Sequence, residues 1–99
     1  MNKNDSQVVD LDTVLQRGEQ TISAITLRKP KSGELRGIAL TDLMRMEVTA
    51  LQTVLPRISE PTLTSHDVAQ MDPADLAQCG IAVAGFLLPK AERLDSPTK

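Results

Sequence analysis

Residues 8–27 read VVDLDTVLQRGEQTISAITL, and this stretch decides the fold. Val8, Val9, Leu11, Val14 and Leu15 crowd its first half among Asp10, Asp12 and Thr13, and Ile22, Ile25 and Leu27 stand among Thr and Ser in its second. β-Branched residues on both sides of Arg17-Gly18-Glu19, a short turn carrying a glycine, predict an antiparallel β-hairpin. The alternation is imperfect, so the pattern leaves the strand register open. A lone hairpin is marginal in water, and this one must pack on helices or pair its edge with another chain.

Working outward, residues 28–37 (RKPKSGELRG) form a breaker-rich link in which Pro30 stops the strand and Ser32 is placed to cap a short turn containing Glu34 and Leu35. Thr41-Asp42 opens a helical pattern. Leu40, Leu43, Met44, Val48, Leu51, Leu55 and Ile58 follow at spacings of three and four and form one stripe, with Met46 and Val54 beside it. Pro56 has no amide hydrogen, so this helix is expected to end or kink near Leu55. Thr64-Ser65-His66-Asp67 has the spacing of a capping box before Val68, Ala69 and Met71. Asp72-Pro73-Ala74-Asp75 is a stronger helix start, because Asp72 can accept amide hydrogens, Pro73 is preorganised for the first helical position and Asp75 suits the positive helix end. The last helix should run from Pro73 to about Leu88.

That last helix is apolar nearly all round. Leu76, Cys79, Val83, Phe86 and Leu87 form one stripe, and Ala77, Ile81, Ala84 and Leu88 form another on a different face. Either the helix is central to the core, or its second face meets another subunit or a client. Gly80 and Gly85 would permit close approach. The expected fold class is α+β, a small single domain over residues 8–88 with an N-terminal β-hairpin followed by about three helices, the last strongly apolar. Residues 1–7 are expected to be a disordered tail and residues 89–99 a polar flexible one.

At 99 residues the chain has room for one core. Its 40% hydrophobic and 24% charged content is that of an ordinary soluble domain. Phe86 is the only aromatic residue, which removes the rings that single-stranded nucleic-acid readers use to stack bases. A net charge of −2 provides no global positive field toward nucleic acid or an anionic membrane. The N-terminal MNKNDSQ lacks the apolar segment of a signal peptide, and the longest apolar run, Cys79 to Leu88, is about half of the roughly 20 residues that span a bilayer. A single cysteine fits a reducing cytosol.

Candidates for chemistry are few. His66 and Cys79 are the only imidazole and thiol, Cys79 lies in the most apolar stretch, and His66 lies at a helix start. Asp42, Asp67, Asp72 and Asp75 each have a structural role at a helix N-terminus, so no acid and base pair remains. No clustered ligand set supports a metal, and Gly33 and Gly37 are not followed by the Lys-Ser/Thr of a phosphate loop, so no cofactor is expected. Arg28, Lys29, Lys31 and Arg36 make the one local basic patch, which reads as a solvated loop. A second reading is a small dimeric DNA-binding regulator that uses this patch at residues 28–36.

Three strings in order, TLRKPKSGELRGIALTDLMRMEV (26–48), LPRISEPTLTSHDV (55–68) and MDPADLAQCGIAVAGFLL (71–88), resemble the tail assembly chaperone family of contractile-tailed temperate phages and Mu-like prophages. The likeness rests on Leu27, Arg28, Pro30, Gly33, Glu34, Leu35, Arg36 and Gly37, on Pro56, Arg57, Ile58 and Pro61, on Leu63, Thr64, Asp67 and Val68, and on Asp72, Asp75, Leu76, Phe86 and Leu87. It spans roughly Val8 to Leu88. The resemblance implies a non-enzymatic role, keeping the long helical tape measure protein soluble until tail tube subunits polymerise around it. It also implies residence in the bacterial host cytoplasm, absence from the mature virion, a frameshift-extended form of the same chain, and no nucleic-acid or membrane partner. Self-association into a homo-oligomer is expected from the hairpin edge and the two-faced last helix. Leu43, Met44, Val48 and Leu51 with Val83, Phe86 and Leu87 are the candidates to line the core or the client groove, and no catalytic residue is implied.

Overall fold

The computed structural model describes residues 6–88. It is an α+β domain with a three-stranded antiparallel sheet in the order β1-β2-β3 and four α-helices. Strands β1 (Ser6–Arg17) and β2 (Gln20–Arg28) form the expected hairpin, with Gly18 at φ 61° in the turn. The strand begins two residues before the domain boundary read from the sequence, so Ser6 and Gln7 are not tail but pair with Arg28 and Leu27. Residues 1–5 and 89–99, the rest of the two expected tails, lie outside the described residues.

The imperfect alternation has a structural cause. Val9 opposes Ile25 and Leu15 opposes Ile22, and all four are buried. Ile22 and Ile25 are three apart, which would send them to opposite faces of a regular strand. Between Asp10 and Leu15 the ladder slips, so that Leu11 to Val14 stand against Ser23 alone. At this irregularity the simple alternation is lost, and both isoleucines are buried.

After a short 3-10 turn (Ser32–Leu35), α1 (Leu40–Met44) and α2 (Val48–Ile58) replace the single helix expected from Thr41 to Leu55. Ser32 lies inside the turn and does not cap it. The Glu34 carboxylate instead accepts the Lys31 amide at 3.0 Å. Pro56 does not stop α2 near Leu55, because it lies in the last turn, where its missing amide costs one hydrogen bond and the chain leaves the helix at Ser59 anyway. Ser59–Glu60 is a third strand, β3, which the sequence pattern did not reveal. It pairs with Leu27 and Thr26, and the buried Ser59 hydroxyl accepts the Leu63 amide at 3.0 Å. α3 (Ser65–Ala69) has the expected capping box, with Thr64 and Asp67 each accepting the other's amide at 3.0 Å.

α4 (Pro73–Phe86) starts as read, with the Asp72 carboxylate on the Ala74 amide at 2.8 Å and Pro73 in the first turn. It packs on β1 and β2 and places Asp75, Cys79, Gly80, Val83 and Phe86 inside. Asp75 has no exposed surface. Its Oδ1 accepts the Asp12 amide at 2.7 Å and its Oδ2 the Thr13 amide at 3.1 Å, and both donors belong to the β1 bulge. The Thr13 hydroxyl adds a bond to Asp72 at 3.1 Å. A carboxylate thus completes the hydrogen bonding of backbone that the sheet has abandoned.

A second tie holds the hairpin tip. Arg17 pairs with the nearly buried Asp67 at 2.7 Å and donates to the Thr62 carbonyl at 2.9 Å. Burial works against an ionised Asp67, but the Thr64 amide, Arg17 and the Thr64 hydroxyl outweigh it and lower its pKa. Asp75→Ala should therefore cost about 3 kcal/mol, because two amides lose a charged acceptor, Asp75→Asn about half of that, and the partly exposed cap variant Asp72→Ala about 1 kcal/mol. Urea denaturation ranks the three, and an Asp75→Ala midpoint equal to wild type would mean that the bulge is held by other means.

Candidate functional site

The break between α1 and α2 creates the surface of interest. After Met44 the Met46 amide donates to the Leu43 carbonyl at 3.0 Å and the Glu47 amide to the Asp42 carbonyl at 2.9 Å. These two bonds are the signature of a Schellman stop, in which the residue at Met46 must be left-handed. Glycine usually takes that place, but here it is Met46 at φ 57°. Its side chain is stacked on α4, since a Cβ added to Gly80 would meet the Met46 sulfur at 3.0 Å and Leu51 at 3.2 Å. A side chain at residue 80 would require the Met46 and Leu51 side chains to give way by a few tenths of an ångström.

Around the break several apolar residues face outward. Met44 is 45% exposed and Val48 52%, Leu40 and Met46 are also exposed, and Ile81, next in chain to Gly80, is 63% exposed. Leu40 and Met44 lie one turn apart on α1, and Met46 joins them to α4. Large apolar side chains gathered in this way are a feature of interaction surfaces. Of the seven residues singled out from the sequence, Met44 and Val48 are on this surface and Leu87 is half-buried. Leu43, Leu51, Val83 and Phe86 are inside the hydrophobic core. Leu40, Met46 and Ile81 complete the surface without having been singled out for it. Their only sequence signal was a stripe, which could not show which side would be covered.

The basic segment is less free than its composition suggests. Arg28 forms a two-pronged pair with Glu34, one arm at 2.8 Å, and donates to the Arg57 carbonyl at 3.0 Å. Arg57 in turn donates to the Glu34 and Arg36 carbonyls at 2.7 and 3.1 Å. Lys29, Lys31 and Arg36 are exposed. One of the four cations offered to a phosphate backbone is therefore already paired within the fold, which weakens the DNA-binding reading.

Sequence comparison meets this geometry from another side. A family model described as "Phage tail assembly chaperone proteins, E, or 41 or 14" matches residues 8–88, the span from the hairpin through the last helix. The chain belongs to the phage tail assembly chaperone family. It is 43% identical over 88 residues to "Tail assembly protein E" of Escherichia phage P2, covering 89% of this chain and 97% of that one. It is 40% identical over 94 residues to "Tail assembly protein E'" of the same phage, covering 95% of this chain and 66% of that one. No solved structure gives a significant match.

Cys79 is fully buried, and burial, then the Asp75 charge, pushes its thiol up to about 11, so at neutral pH it packs as a small apolar group. His66 is exposed on α3. Among the described residues no three His, Cys, Asp or Glu side chains gather as a metal site, and no helix is long and apolar enough to cross a membrane.

The Arg28 guanidinium, then the Lys31 amide, hold Glu34 down at about 2, against an ordinary 4.5. A lowered pKa in the folded state gives stability that is present above 4.5 and lost as pH falls toward 2, and Asp67 acts in the same direction. The urea midpoint should therefore drop through that acid window, and Glu34→Gln should make the drop shallower. A wild-type midpoint that stays level down to about 2 would contradict these pairings.

Proposed function

We propose that this chain binds the tape measure protein of its phage and keeps it soluble until the tail tube polymerises around it, without catalysing a reaction. The observation that carries this reading is the exposed apolar surface of Leu40, Met44, Met46, Val48 and Ile81 on a domain whose core is filled without them. Methionine and branched aliphatic side chains can repack against many amphipathic helices with little specificity, which a long helical client with repeated apolar stripes requires. Family membership and the names of the two relatives give the process, tail assembly.

The proposal places the protein in the host cytoplasm, with release before the virion is finished. It includes a frameshift-extended second form of the chain, supported by the contrast between 97% coverage of protein E and 66% coverage of protein E'. Client helices would lie across the α1–α2 corner, with Leu87 at the end of α4 as a candidate flanking contact.

Co-expression with the tape measure protein tests the reading. Wild type should hold that protein in the soluble fraction and co-purify with it. The double variant Met44→Asp/Val48→Asp, both on the surface, should keep its circular dichroism and cooperative melt yet lose the effect, because a bound helix would bury two unpaired charges. Val83→Asp or Phe86→Asp should simply unfold. No gain of solubility with folded wild type would refute the function, and full activity of the folded double variant would move the client to another surface.

A further inference from the structure

We propose that the outer edge of β1 over Ser6–Asp10 pairs with the same edge of a second copy of this chain, antiparallel and centred on Val8. Two three-stranded sheets would then become one sheet of six strands. β1 is the outermost strand, with β2 on one side only. Farther along, the edge is closed to a newcomer, because the Asp12 and Thr13 amides of the bulge are held by Asp75. Over Ser6–Asp10, by contrast, the described residues supply no hydrogen bond beyond the ladder to β2. In an antiparallel ladder the backbone groups of alternate residues face away from the neighbour, so this edge carries a row of donors and acceptors open to solvent.

Ser6–Asp10 contain no lysine or proline, the bulge begins only after Asp10, the one charge of the stretch, and Val8 is 59% exposed. A second copy fits because the stretch complements itself. An axis through Val8 sets Val8 against Val8, Gln7 against Val9 and Ser6 against Asp10, so a hydroxyl meets the carboxylate and no two acids oppose. Moving the axis to Asp10 would set two carboxylates face to face. This pairing uses the sheet edge and none of the apolar α1–α2 residues, so it does not rest on the client reading.

Sedimentation of the full chain without any client tests it. Wild type is expected to sediment at twice the chain mass over the upper part of a concentration series. Val8→Lys, which leaves the core untouched and opposes two ammonium groups across the axis, is expected to be a monomer with an unchanged melt. Val8→Cys is expected to form an intermolecular disulfide on mild oxidation, since each residue 8 is its own partner. Ser23→Cys, exposed on β2, should stay reduced, and the buried Cys79 provides no competing thiol. The proposal is overturned if wild type is monomeric at every concentration, if folded Val8→Lys dimerises like wild type, or if Ser23→Cys cross-links as fast as Val8→Cys.

Discussion

The Asp75 carboxylate sits where a strand has slipped out of register, and the rest of the domain depends on what it does there. Four residues of β1 face one of β2, which strands backbone amides that the ladder would otherwise use. Two of them, on Asp12 and Thr13, point at the first turn of α4 and end on the two oxygens of one fully buried carboxylate. The helix is thereby fixed in rotation as well as position, since Asp75 must face the bulge. Cys79, Val83 and Phe86, following at spacings of four, four and three, then face the sheet as well. A helix apolar on two faces could bury either one, and this polar contact selects between them.

With α4 oriented in this way, Ile81 faces solvent and Gly80 faces the α1–α2 turn. The second consequence follows from there. Met46 adopts a left-handed backbone that costs a side-chain-bearing residue about 1 kcal/mol or more, offset by its packing at Gly80. The Schellman stop at this point divides one apolar stripe into two, with Leu43 and Leu51 turned in and Met44 and Val48 turned out. The exposed surface lies at this chain break, and the sheet edge at Val8 lies on a different element.

The legible parts of the sequence were those where one residue type has one local use. Thr64 with Asp67 and Asp72 with Pro73 announce helix starts because their side chains satisfy amides a few atoms away, and Gly18 between β-branched runs announces the hairpin. The illegible parts depend on partners distant in sequence. Asp75 looks like any acid in a first helical turn until the bulge sixty-odd residues earlier is folded against it. The α1–α2 break was hidden because methionine took the position that glycine normally signals, and Pro56 pointed to a stop that came only at Ile58. β3 is two residues long, too short for any periodicity. For the site, Met44 and Val48 were legible as apolar but not as exposed, while Val83 and Phe86 had the same signal and went to the core.

The claim that α4 is locked to the hairpin through Asp75 can be tested amide by amide. In native-state hydrogen exchange, the Asp12 and Thr13 amides lie outside any regular ladder and on residues whose surfaces are exposed, so their protection reports the carboxylate contact alone. They should exchange as slowly as those amides that donate across the β1–β2 ladder, opening only when the domain unfolds. Exchange of Asp12 and Thr13 as fast as the turn amide of Gly18 would contradict it, and would leave the orientation of α4, and with it the exposed α1–α2 surface, without its physical cause.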